Sequence, residues 1–218
     1  SLGFRGEIDG DLSVVAIQDG TDSYLALESD ADVLSADLIG LGALLEFHAW
    51  DATVRLNAFG GTASAKLDWD SLATSGLPLA SLTVDETLDL HVDGNVAHNA
   101  LSGTLVAVGE FNLDVGQVST TADNGAAGIS FVNADAVSLT LTDVELFAGV
   151  GGSLNANGTP DDFSDDTVVN GSLGFRGEID GDLSVVAIQD GTDSYLALES
   201  DADVLSADLI GLGALLEF

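Results

Sequence analysis

The chain has 218 residues, with 37 acidic and 4 basic side chains and a formal net charge of −33. Such a balance excludes a nucleic-acid binder, which needs clustered Lys and Arg to neutralise phosphates, and argues against docking on an anionic membrane surface. Apolar residues make up 46%, so this is not a disordered acidic tail, which joins high charge to low hydrophobicity. Cys and Met are absent, so no disulfide staples the fold, and no apolar run approaches the roughly 18 residues of a transmembrane helix.

Residues 1–47 recur letter for letter as residues 172–218. The sequence is therefore one complete unit, 1–171, and the start of the next, 172–218. Because the recurring stretch holds 10 acids and 1 base, one unit carries 27 acids and 3 bases. Phe218 corresponds to Phe47, which runs on into His48-Ala49-Trp50. The polypeptide is expected to continue beyond both ends.

Period-2 alternation dominates from the first residues onward. Leu2, Phe4, Gly6 and Ile8 alternate with Gly3, Arg5 and Glu7. The same pattern returns at Leu45/Phe47/Ala49, Val54/Leu56/Ala58, Leu88/Leu90/Val92, Phe111/Leu113/Val115 and Val137/Leu139/Leu141. Each reads as a strand with one apolar and one polar face. Asp9-Gly10, Asp19-Gly20, Gly60-Gly61, Asp93-Gly94, Asn124-Gly125, Gly151-Gly152, Asn157-Gly158 and Asn170-Gly171 are the turn signals between them. Asp30–Leu45 lacks a clean 3.6 period and is broken by Gly40 and Gly42, so it reads as strand, glycine turn, strand.

Similar strand starts recur about every 20–25 residues inside the unit, a nested repeat that suggests the coils of a solenoid. The expected fold is all-β, a parallel β-helix-like solenoid, with a β-sandwich repeat as the alternative. Seven or eight coils at about 4.8 Å each make a unit of roughly 35–40 Å. Phe4, Ile8, Leu45, Phe47, Val54, Leu56, Leu88, Leu90, Phe111, Leu113, Leu139 and Leu141 are the expected core.

The most chemically loaded segment is the acidic loop or linker at residues 155–171. Asp161, Asp162, Asp165 and Asp166 place four carboxylates within six residues, beside Gly158 and Pro160. Calcium takes six to eight oxygens from flexible carboxylates and carbonyls, so these four are the candidate metal ligands, although neither the EF-hand spacing nor the calcium-binding nonapeptide is present. A solvated acidic turn is the plainer reading. His48 and His91 fall at outward strand positions, and His91 and His98 lack any spacing that converges them on zinc. Trp50 and Trp69 fit caps on a sheet, an aromatic platform for glycan, or a contact between fibres. No nucleophile elbow appears, no carboxylate pair stands out as acid and base, and Gly149-Val150-Gly151-Gly152 does not open a phosphate-binding helix. No enzyme is expected, and no cofactor beyond calcium.

Near-identical β repeats are an aggregation hazard, because an edge that pairs within the chain can pair with another chain. The acidity opposes uncontrolled association and makes lateral packing depend on salt or divalent cations. An extracellular or cell-surface setting supplies both.

Three stretches carry a resemblance: Asp143–Asn157 (DVELFAGVGGSLNAN), Tyr24–Asn57 (YLALESDADVLSADLIGLGALLEFHAWDATVRLN) and Leu67–Leu72 (LDWDSL). The sequence resembles the long repeats of very large bacterial surface or secreted proteins. That resemblance implies an elongated, β-rich, adhesin-like protein with no catalytic residues to transfer. The expected function is that of a building block in an extracellular fibre, self-associating with neighbouring repeats or copies. The alternatives are a stalk or binding repeat of a calcium-dependent adhesin, and a lipid-binding groove of repeating strands, which requires an apolar face left open.

Overall fold

The computed structural model describes residues 3–39, 45–72, 79, 82–120, 130–159 and 162–211, with backbone pairing alone for 3–8, 31–39 and 45–47. Ten strands form: β1 Gly3–Asp19, β2 Asp22–Ile39, β3 Leu45–Gly60, β4 Leu88–Ala100, β5 Leu105–Thr120, β6 Phe131–Val150, β7 Ser153–Asn155, β8 Thr167–Val169, β9 Leu173–Asp190 and β10 Asp193–Ile210. No helix occurs among the described residues, so none is long and apolar enough to cross a membrane. The all-β expectation holds.

Eight strands form one open sheet in the order β1-β2-β3-β4-β5-β6-β9-β10, and β7-β8 is a separate hairpin inserted between β6 and β9. Every pairing is antiparallel. A β-helix-like solenoid stacks successive coils in parallel, which needs crossover connections. Here consecutive strands of the sheet run back along their neighbours, through tight links such as Gly20-Thr21 and Gly191-Thr192 or through longer segments such as the one between β3 and β4. Nor do the described residues contain a second large sheet to make a sandwich. One unit contributes six strands, β1–β6, to the sheet. At about 4.8 Å per strand it advances about 29 Å, less than the coil estimate.

The strands of the large sheet are long, from 13 residues in β4 to 20 in β6, where about 5–6 is usual. Two of the expected turns explain this. Asp9-Gly10 and Asp93-Gly94 lie in mid-strand, inside β1 and β4. They sit in a row of β-bulges that crosses the sheet: the register shifts opposite Gly10, between Trp50 and Thr53, between Glu110 and Val108, between Thr142 and Glu145, and opposite Gly181. Asp51 and Asp143 take left-handed φ values of 47° and 51° at two of these bulges. Glycine is required opposite them. A Cβ on Gly94, whose φ is 149°, would lie 2.9 Å from the Ala52 Cα, and one on Gly109 would lie 2.7 Å from Val144.

The bulges also explain a change of parity. Ala49 is at an odd position, whereas Val54 and Leu56 are even, yet all belong to β3 and share one face because one extra residue is inserted at Asp51. What reads in sequence as two strands is one strand with a bulge. Of the other turn signals, Asp19-Gly20, Gly60-Gly61 and Gly151-Gly152 mark strand ends, Asn157-Gly158 turns within the inserted hairpin, and Asn170-Gly171 leads into β9. Gly40, Gly42 and Asn124-Gly125 lie outside the described residues.

The buried core is on the other face from the expected one. Val54, Leu56, Leu90, Phe111, Leu113, Leu139 and Leu141 align on one face and are only half-buried. On the opposite face, Val15 and Ala26 pack against Trp69, Leu82 and Val84 from the irregular segment between β3 and β4, with Leu88 at the margin. A second buried patch, Ala97, Val106 and Phe147, lies on that same face, where the β7-β8 hairpin contacts β4, β5 and β6. Phe4, Ile8, Leu45 and Phe47, the remaining expected core residues, have side chains outside the described set.

The exact repeat shows which part of the molecule buries what. Ala26 is 0% exposed beneath Trp69, Leu82 and Val84, while the same residue one unit later, Ala197, is exposed. The first hairpin is covered by the irregular segment of its own unit.

Candidate functional site

The feature with the most specific chemistry is the boundary between units. β6 ends the first unit's share of the sheet and β9 opens the second's. They pair from Asp135↔Gln189 to Val150↔Leu173. Polar cross-links fix this register on the covered face. The Thr142 hydroxyl donates to Asp182 at 2.6 Å, Thr140 and Ser184 share a hydrogen bond at 3.0 Å, and the Gly181 amide donates to Asp143 at 2.8 Å. Arg176 lies 2.6 Å from Glu178 on its own strand and 3.8 Å from Glu145 across the boundary. Ser138, Thr140 and Thr142 are thus hydroxyls at the boundary strand, a role that sequence alone gives no means to assign.

Phe147 closes the boundary at its lower end. The ring is 0% exposed and rests on glycines from both units. A Cβ on Gly149 would fall 2.7 Å from the ring and 2.6 Å from the Gly174 Cα, and one on Gly174 would fall 2.9 Å from the ring. Gly149 and Gly174 are direct cross-strand partners. Glycines that weaken a strand by themselves are here capped by an aromatic ring, which returns the buried area that they lack.

The acidic loop forms the turn of the inserted hairpin. Asp162 accepts from the Ser164 hydroxyl at 2.6 Å and from its amide at 3.1 Å, and these bonds hold its pKa below the usual carboxylate value. Asp165 accepts from the Thr159 hydroxyl at 2.8 Å, and its carbonyl accepts from the Asn157 amide. Asp166 instead lines a hollow of about 220 Å³ with Trp50, Asn95, Glu110, Asp143 and Phe163. Asp161 lies outside the described residues. So Asp162 and Asp165 are engaged by separate hydroxyls and Asp166 faces elsewhere. Among the described residues no three metal-binding side chains are gathered.

The histidines take three different places. His48 is buried and stacks on Phe163 of the inserted hairpin, 3.7 Å between centroids and 9° from parallel. His91 lies between two carboxylates, Nδ1 2.7 Å from Asp114 and Nε2 2.7 Å from Asp93. His98 sits opposite Ala107 on the apolar face. The outward expectation does not hold for His48, whereas the reading of Trp69 as a cap on the sheet agrees with the structure. Trp69 caps the sheet from within the core, and its Nε1 donates to Asn57 at 3.0 Å.

Asp85 fixes the entry to β4. Its carboxylate accepts from the Thr87 hydroxyl at 2.6 Å, the Thr87 amide at 2.8 Å and the Leu88 amide at 3.2 Å. The Thr87 hydroxyl is the largest cause holding its pKa below the usual value, and the Thr87 and Leu88 amides and Lys66 act in the same direction. A depressed pKa adds stability that is present above the unfolded-state value and is lost as pH falls through the folded one. Asp85→Asn should therefore lower the urea midpoint at neutral pH, with the gap from the parent closing as the solution is acidified. A gap that widens in acid contradicts this assignment.

One face of the sheet has no cover among the described residues. Inward from the tips at Gln117, Asp135 and Gln189, the described strand positions on this face carry no Asp, Glu, Lys or Arg other than Asp89, which lines a hollow there with Val115, Val137 and Ala187 and pairs with Lys66 at 2.7 Å. Leu12 is 52% exposed, Val14 55%, Leu196 76% and Leu198 68%. Eight strands of this length present an area on the order of 1,500 Å², several times the apolar patch that an isolated soluble protein leaves in water.

Comparison with known protein families, with curated proteins and with solved structures finds no match to the chain.

Proposed function

We propose that this chain is a non-enzymatic structural unit of an extracellular fibre, in which tandem repeats extend one antiparallel sheet. The supporting observation is that the sheet does not stop at the unit boundary: β6 and β9 pair along most of their length. Each unit touches only its neighbours, so the array is solenoid-like in being quasi-one-dimensional, although its layers are strands rather than coils. The mechanism is mechanical. Load along the fibre axis is shared by the ladder of main-chain hydrogen bonds and by the cross-links around Phe147. The acids on the polar face keep fibres apart until calcium or another divalent cation screens them. Small-angle scattering of chains with one, two and three further units tests this reading. The maximum dimension should grow by about 29 Å per unit at constant cross-section. Growth in irregular steps, as for beads on flexible links, argues against it.

The open apolar face supports a second reading, a groove for acyl chains. In the fibre reading a second sheet covers the face, at about 10 Å separation. In the groove reading lipid covers it. Leu198→Asp with Val14→Asp alters two exposed positions and should leave the fold intact. In the fibre reading it weakens self-association in sedimentation by at least tenfold, with no acyl chain found by native mass spectrometry in the parent. A parent monomer carrying acyl chains that the variant loses favours the groove.

A further inference from the structure

We propose that the apolar face is covered by the same face of a second copy of this chain, turned about an axis that runs along the fibre, across the strands. This rests on the fibre reading above, and it names the covering partner and its orientation.

The exposure to be covered is not confined to the outer strands of the sheet. Leu25 is 37% exposed, Phe175 39%, Leu105 41% and Val137 42%. Each points to this face, and each lies on a strand that is paired on both sides. The face offers on the order of 1,500 Å², about twice the roughly 800 Å² that each partner gives to a stable interface. Its chemistry narrows the partner. A charged surface laid here would lose its hydration and meet little to pair with, so the cover must itself be apolar and of similar breadth. Among the described residues this face is such a surface, and a second copy brings it. The two sheets then lie about 10 Å apart with their side chains interdigitated. Their acidic faces point outward and repel a further layer, so the association stops at two sheets.

Two features set the orientation. The carboxylates of Asp89 and Asp135 stand toward one end of the strands, around a hollow of about 590 Å³ that Val115, Val137 and Ala187 also line. The exposed side chains of Leu105 and Phe175 stand toward the other end, on either side of Ala148. Two-fold pairing that keeps the strands roughly aligned has two forms. A turn about the strand direction lays carboxylates over carboxylates and hollow over hollow. A turn about the fibre axis lays Leu105 and Phe175 of each copy over the hollow of the other and keeps the like charges apart. The second form fills space and avoids burying like charges together. It is isologous and closes at two copies across the face, while both sheets run in the same direction along the fibre.

The absence of Cys allows a single spin label in the full chain, so every dipolar coupling is between chains. Val137→Cys and Leu105→Cys put the label at opposite ends of the face, about 36 Å apart along the strands, because Leu105 pairs with Ala148. Mixing the two labelled chains should add a distance under about 20 Å, set by the roughly 10 Å between sheets. Either labelled chain alone should give about 36 Å. Short distances between like labels, with long ones in the mixture, would mean a turn about the strands and overturn the proposal. So would a parent that is monomeric in sedimentation at about 0.1 mM, or one that carries an acyl chain in native mass spectrometry. Growth of the maximum dimension by about 29 Å per added unit is read separately. If it holds without the short mixed distance, the single-sheet fibre stands and the pairing falls. If growth is irregular, the fibre reading falls whatever the labels show.

Discussion

Phe147→Ala should cost about 3–5 kcal/mol, the range for removing a fully buried aromatic ring without refilling its space. The space cannot refill from below, because the floor is Gly149 and Gly174, with backbone atoms too close to admit even a Cβ. The loss should fall unevenly. Phe147 sits where one unit meets the next, so the second unit's hairpin should lose protection before β1–β3, whose core is the separate cluster of Val15, Ala26 and Trp69. Urea denaturation followed at Tyr195 and at Trp69 separates the two regions. A single transition with a midpoint unchanged from the parent shows that the ring does not hold the boundary.

Asn57→Asp should be of similar size, at least about 3 kcal/mol, from the change of one atom. Asn57 is 2% exposed. Its amide nitrogen donates to the carbonyls of Leu67 at 2.8 Å and Asp85 at 2.7 Å, and its oxygen accepts from the Trp69 indole at 3.0 Å. All three bonds tie the irregular segment to β3. Aspartate keeps the acceptor for Trp69 but turns a buried oxygen toward two carbonyls. The indole should then become solvent-exposed, read as a red shift of Trp69 fluorescence in a Trp50→Phe background. Parent-like emission with an unchanged urea midpoint contradicts the role given to Asn57.

Much of the sheet was legible from its alternation, because a residue on a strand reports its face by parity alone. Parity also misled at two levels. Asp9-Gly10 and Asp93-Gly94 have the composition of turns, yet their glycines face bulges in neighbouring strands, and a bulge is visible only once its partner is known. The alternating Leu and Val positions identify an apolar face correctly, but nothing local says whether anything lies over it. Trp69, Leu82 and Val84 form the actual cover and follow no period, since they belong to a segment without regular structure. At the acidic loop, composition drew attention to four carboxylates. Of those described, Asp162 and Asp165 bond Ser164 and Thr159, short hydroxyl residues at close spacing, and Asp166 turns to a different hollow. The boundary itself was announced by the repeat, but Phe147 and its glycine floor depend on the pairing of Gly149 with Gly174, far along the chain, and carry no motif.

The charge follows the same division. Each cation described has an acidic partner: Arg55 is 3.8 Å from Glu28, Lys66 is 2.7 Å from Asp89, and Arg176 bridges to Glu178 and Glu145. The few bases of a unit are thus spent on fixing positions within the sheet. Among the described residues the excess acid remains mostly on the polar face, and the apolar face carries little charge beyond Asp89, which Lys66 pairs.

The unit boundary lies inside one sheet, and the letter-for-letter repeat supplies its own control. Residue-resolved amide exchange, on chain labelled segmentally so that β1 and β9 are read separately, compares one sequence in two settings. In a chain of residues 1–218, the amides of β9 that point toward β6 should exchange slowly, and their counterparts in β1, which point away from β2 and meet no described strand, should exchange at least a hundredfold faster, as expected for unpaired amides. Equal, fast exchange at both sets would mean that β9 is an edge strand like β1 and that the units are separate sheets.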